Sequence, residues 1–466
     1  MGPGMRRMLL WVNGVCVVGL LAAGLTAVFL FEEDKPYPDA WDPRVVPLVQ
    51  YVERERGFTF EHPVHIDFLT PAEYSERTRA DEESLEAGDV EDLEQFEALL
   101  RAFGLITNDV DLLDSVNELS DTGTLAYYDS LEERVTVRGT ELTPELRATL
   151  VHELTHTLQD QHFGLDSLDE ENEEVTEGRL MAFRALVEGD ADRIESEYVE
   201  SLSDEDQEAI GDGSEQALSE LEEEGSSQAL SALFALPYIL GDSFVAVLDT
   251  VEHAKIDEAF LDPPKTEEQL LDPFAYLDGD QPRAVATPGT DGLEALHDGD
   301  FGAAALLVVL AERIDLRQAL AAVTGWGGDA YAVFERDGRV CARVHVSGDT
   351  PRDTDELDTA LKDWAAATPG GTARANRTGD VVELESCDPG AQATEGSGGS
   401  LDALMLAGAR SLIAMQAIEE GFERGEARCF AASLVSELDP EEIQSEEPSA
   451  RSLRTATQIA LRCRGA

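Results

Sequence analysis

Two histidines four residues apart, in His152-Glu153-Leu154-Thr155-His156, constrain this chain more than any other feature. On a helix that spacing projects both imidazoles from one face, where they can reach a single tetrahedral ion. Glu153 then stands beside the ion without binding it, which is where a general base toward water belongs. The surrounding pattern asks for the helix. Leu146, Leu150, Val151, Leu154 and Leu158 make one apolar stripe, and both histidines point off it. Thr143 and Pro144 read as an N-cap and first helical residue, and Gly164 as a stop. Chance would produce such a motif in roughly 2% of chains this poor in histidine, even before a helix is required.

A third protein ligand is needed, and Glu188 is the candidate. It lies in a second helical stretch whose Leu180, Phe183, Val187, Ala191, Ile194 and Tyr198 define a buried stripe. Asp192 follows one turn later on the same face, so one carboxylate can bind zinc while the other accepts the free N–H of a ligating histidine. Gly189 and Ala191 are small enough to admit another helix closely. Glu195 and Glu197 are the fallback ligands. With 97 acidic residues in the chain, the competing reading of Glu188 is a solvated helix face.

Together these two segments resemble the gluzincins, the thermolysin-like metallopeptidases. In that family a Glu from a later helix is the third ligand, and an Asp one turn on supports the first His. The resemblance implies an α+β, zincin-like core holding Zn2+ through His152, His156 and Glu188, with Glu153 as base, Asp192 behind a histidine, and a peptide or protein substrate. It also implies that Arg134 to Arg138, just before the zinc helix, is an edge strand pairing with extended substrate; the alternative is a hairpin whose edge is covered. Tyr238, His253, Tyr276 and His297 occupy the chain region of an oxyanion-stabilising side chain, and no motif selects one. As a whole, an almost wholly apolar run at residues 8–31, this zinc core and an excess of 97 acidic over 34 basic residues look like a haloarchaeal surface-protein family.

The formal charge of -63 is spread along the whole length. It argues against nucleic acid or an anionic membrane surface as a partner. Lysine is confined to Lys35, Lys255, Lys265 and Lys362, and an acidic, lysine-poor surface suits molar salt, where screening removes self-repulsion. Residues 8–31 are almost wholly apolar and long enough to span a bilayer. Arg6 and Arg7 precede them and Glu32, Glu33 and Asp34 follow, so residues 1–7 are expected in the cytoplasm and the bulk outside the cell membrane. A cleaved signal peptide is the competing reading.

Cys16 falls in that apolar run. Cys341, Cys387, Cys429 and Cys463 lie in the exported part, where an oxidising compartment allows three pairings. Cys341 with Cys387 and Cys429 with Cys463 are favoured, since each pair lies in one compact segment. Asn376-Arg377-Thr378 is a sequon.

The expected organisation is a metallopeptidase domain over 32–323, a small α+β unit over 324–387, a Gly/Ser linker over 388–400 and a helical segment over 401–466. Within the first, Thr124 to Arg138 reads as a hairpin, 201–227 as a mobile acidic insertion, and Ala229 to Leu248 as buried helices broken near Pro237 rather than a second membrane span. Nothing in the sequence fixes an oligomeric state.

Overall fold

The computed structural model describes residues 37–79, 87–115, 117, 124–165, 176–211, 227–251, 254–443 and 449–464. The expected membrane segment 8–31 and residues 212–226 of the acidic insertion lie outside them; residues 204–211 of that insertion are helical. The chain is α+β. It divides into two compact units, one made of 1–98, 109–175 and 190–234, the other of 99–108, 176–189 and 235–466.

The first unit opens with α1 (Val46–Arg56), β1 (His65–Leu69) and α2 (Pro71–Thr78), and the boundary between the units falls inside α3 (Ala87–Phe103). A hairpin of β2 (Ala126–Asp129) and β3 (Arg134–Arg138) follows. The sheet order is β1-β3-β2, with β1 parallel and β2 antiparallel to β3. β3 is therefore central. The expectation that Arg134–Arg138 forms a substrate-binding edge is overturned, because β1, from much earlier in the sequence, occupies that side through pairs such as Ile66 with Val135. Val135 and Val137 of β3 pack with Val45, Leu48, Val49 and Val52 and with Leu146, Leu150, Val151, Leu154 and Leu158 of α4 (Pro144–Phe163). Helix α4 begins where its sequence says: the Thr143 hydroxyl accepts from Leu146 N at 3.2 Å, Pro144 needs no partner for a missing N–H, and Gly164 ends it at φ 68°. The following helix, α5 (Glu177–Glu200), contributes Ile194 and Tyr198 to this core.

Helix α5 is unbroken across the boundary, which falls between Gly189 and Asp190. Within the second unit its Gly189 lies against Gly241 of α6 (Gln228–Val251); a Cβ on Gly189 would sit 2.2 Å from the Gly241 carbonyl oxygen. The helix break expected near Pro237 does not occur. A proline inside a helix costs about 3 kcal/mol, and burial of Leu236, Leu240, Phe244, Val245 and Leu248 offsets it. By length and composition α6 could cross a membrane, as could one later helix, and 56% of the most apolar stretch of α6 is buried within the protein.

A short helix at Ala254–Leu261 and two more, α7 (Glu268–Leu271) and α8 (Pro273–Asp278), precede β4 (Ala295–Gly299). After α9 (Ala303–Ala311) and α10 (Leu316–Val323) come β5 (Trp326–Arg336), β6 (Arg339–Gly348), α11 (Pro351–Ala367), β7 (Ala373–Thr378) and β8 (Val381–Cys387). The antiparallel sheet runs β4-β5-β6-β8-β7. It extends beyond the expected 324–387, because β4 pairs with β5. Cys341 faces Cys387 in register between β6 and β8, and the two form a disulfide. Trp364 of α11 is fully buried, with its indole N–H donating to the Val309 carbonyl at 2.8 Å.

Residues 388–400 are not a free linker. Ser397 N and Gly398 N donate to the Glu312 carbonyl and carboxylate, the Ser400 hydroxyl donates to that carboxylate at 2.7 Å, and a Cβ on Gly396 would strike the Glu312 carbonyl. Glycine here permits close approach rather than flexibility. Helices α12 (Ser400–Glu419), the second of the two long apolar helices, α13 (Arg424–Glu437) and α14 (Ala450–Cys463) complete the chain. A disulfide from Cys429 to Cys463 joins the last two.

Candidate metal centre

His152 and His156 stand one turn apart on α4, their ring centroids 4.6 Å apart and their planes nearly perpendicular. Both are buried, as is Glu153. They lie off the apolar stripe, yet within protein rather than in solvent. Thr155 and Thr157 beside them are also buried, and their hydroxyls donate back to the Val151 and Glu153 carbonyls.

Helix α5 is fixed against α4 by a buried polar chain. Asp190, fully buried, accepts from Gln159 Nε2 at 2.9 Å, from Arg56 Nε at 2.7 Å and from Arg193 at 3.0 Å. Burial alone would raise the Asp190 carboxyl; Arg56, Arg193 and the Gln159 amide overcome that and hold it below the usual carboxylate range. Gln159 in turn faces His156, its Oε1 2.9 Å from the ring's Nδ1. On an unbroken helix, anchoring Asp190 also places Glu188 half a turn before it and Asp192 half a turn after.

The result is a set of three. His152, His156 and Glu188, each buried, present ligand atoms within 4.8 Å of one another. Arg184 Nε lies 3.8 Å from Glu188 Oε1. Behind His152, Nδ1 is 3.2 Å from Asp192 Oδ1 and 3.1 Å from Glu195 Oε2. Those three residues make a second group with the same compactness, half exposed at its acidic side. Glu197, the other fallback ligand, turns instead to Arg193 at 3.2 Å.

Nδ1 of His156 faces the Gln159 amide oxygen, and Nδ1 of His152 lies within ion-pair distance of the Asp192 and Glu195 carboxylates. Two imidazoles and one carboxylate are a donor set that could hold a metal.

Residues 292–398 match a domain of unknown function, DUF8575. No curated protein and no solved structure matches the chain. The DUF8575 stretch begins just before β4 and ends beyond β8, so it coincides with the five-stranded sheet and contains none of the metal-set residues.

Sequence reasoning missed Gln159, Asp190 and Arg56. Gln159, three residues after His156, was open to a same-face argument. Asp190 hides in an acidic run and Arg56 lies 134 residues away in sequence, so neither carried a local signal. Of the four residues considered for an oxyanion role, Tyr238 is partly buried on α6, Tyr276 donates its hydroxyl to the Asp262 carbonyl, His297 is buried in β4, and His253 lies outside the described residues.

Proposed function

We propose that this chain is a membrane-anchored, outward-facing zinc metallopeptidase with a zincin-like core. The observation that carries the reading is the buried set His152, His156 and Glu188, with Glu153 on the same helix as the two histidines. The set suits zinc in donor chemistry, and it has three members where a purely structural zinc takes four. A zinc ion held there supplies Lewis-acid chemistry toward a peptide carbonyl and toward water. Glu153 takes the proton from the attacking water and returns it to the departing amine. Gln159 and Asp192, at the Nδ1 atoms, fix ring orientation and raise ligand basicity.

β3 is covered on both sides, so extended substrate is assigned instead to the outer edge of β2, which no other strand occupies among the described residues. Residues 8–31 supply the anchor, and two disulfides accord with an oxidising exterior. The test is hydrolysis of a mixed peptide library by the zinc-loaded full chain in detergent and molar KCl. Wild type should cleave, and Glu153→Gln should lose at least about a hundredfold in rate. Folded, zinc-containing wild type that cuts nothing would instead favour a cell-surface protein with a non-catalytic metal.

A further inference from the structure

A second cluster of oxygen ligands lies wholly within the second unit. Glu268 opens α7, Asp280 follows the left-handed Gly279 that ends α8, and Asp349 is the first residue after β6. Their carboxylate oxygens all lie within 4.8 Å of one another. The backbone holds them there. Gln269 Nε2 donates to the Asp280 carbonyl at 3.0 Å, Asp280 N to Ala275 O at 2.9 Å, and Asp349 N to Gly325 O at 2.9 Å.

Acidic clusters are common in a chain of this charge, and most are solvated. This one differs at Glu268, which is 7% exposed and whose carboxylate makes no hydrogen bond or ion pair among the described residues. The charged groups that raise its proton affinity, after burial, are Asp349, Asp280, Asp272 and Asp353, and the carboxyl is pushed up to about 9. Two arginines are near. Arg410 feels the Glu268 charge but spends its donors on Thr324 Oγ1 and the Leu271 carbonyl, and Arg283 offsets Asp349 while donating to the Gly348 carbonyl. Neither reaches Glu268. A buried carboxylate facing two others is costly without a cation between them.

We propose that Glu268, Asp280 and Asp349 bind a hard divalent cation of the calcium class. The donors are all oxygen, which excludes a preference for soft metals. Ligands across a calcium ion at 2.3–2.6 Å lie up to about 5 Å apart, and the spread seen here falls within that. Asp349 belongs to the DUF8575 stretch while Glu268 and Asp280 precede it, so the ion clamps the matched domain to the helices before it. This site shares no residue with the zinc set.

The experiment is a Ca2+ titration of the full chain in detergent and 2 M KCl, with zinc saturating throughout, followed by calorimetry and by thermal melting. Wild type should take up one Ca2+ saturably and melt at higher temperature with it. Glu268→Gln and the half-exposed Asp280→Asn should each weaken that uptake at least about tenfold. Glu268→Gln should also melt higher than wild type without Ca2+, since it removes the buried repulsion. Equal Ca2+ uptake and equal melting response in wild type and both variants would overturn the site, leaving Glu268 as a protonated buried acid.

Discussion

Gln159 carries more of the candidate centre than its neutral side chain suggests, because it links His156 to the buried Asp190 and through it to Arg56 and Arg193. Removing such a supporting group from a metal-bound histidine costs about 10–100-fold in metal affinity. Gln159→Leu should therefore weaken zinc binding by that factor in a competition titration while far-ultraviolet circular dichroism stays unchanged; unaltered affinity would reduce Gln159 to a packing residue. Asp190→Asn is the harsher change, since it removes the buried carboxylate that faces the buried Arg56, at about 3–5 kcal/mol. His297 offers a pH test. Burial pushes its imidazole down to about 4, and neither ring nitrogen has a hydrogen-bond partner among the described residues. Unfolding restores an ordinary value near 6.5, so the unfolded chain takes up a proton that the folded chain refuses. That contribution to stability is present above about pH 6.5 and is lost as pH falls toward 4. His297→Phe should flatten this part of the stability profile measured by denaturant melts; an unchanged slope would assign the dependence elsewhere.

Between elements, the contact of α5 with α6 is set by glycine. A Cβ at Gly189 would meet the Gly241 backbone at 2.2 Å, and one at Gly241 would meet the Ala185 carbonyl oxygen at 2.1 Å. In an open helix Gly→Ala gains up to about 1 kcal/mol, but here two backbones must part, and overpacking of this kind costs about 1–3 kcal/mol. Gly189→Ala should lower the melting midpoint, whereas Gly425→Ala, with open space around it, should not. The helices of the site were legible in the sequence because their signals are local: Thr143, Pro144 and Gly164 bound α4, and the spacing of the leucines turns it. Pairing was not legible. That β3 is central depends on β1 arriving from residues 65–69, and β7 reads Ala-Arg-Ala-Asn-Arg-Thr, an alternation of partly buried and exposed positions without the apolar residues that announce a strand. The 388–400 stretch is illegible as structure for a related reason, since composition does not distinguish glycine that bends freely from Gly396 pressed on Glu312.

For the whole molecule, the charge of -63 is the dominant long-range term. Its self-repulsion reaches about 10 Å at 0.1 M salt and under about 3 Å above 1 M, so the protein should melt at clearly higher temperature in 3 M than in 0.1 M KCl. Equal midpoints would show that this self-repulsion does not limit the stability of the fold. The two disulfides join cysteines 46 and 34 positions apart in sequence, and both fall in the second unit, leaving the unit that carries the two histidines without a disulfide among the described residues. The chain thus has two chemical vulnerabilities of different kinds. A non-chelating phosphine should loosen the half around β6, β8, α13 and α14 while sparing the histidine half, and a zinc-selective chelator used with calcium in excess should do the reverse, so a sample's redox history and its metal history would leave separable marks on one melting curve.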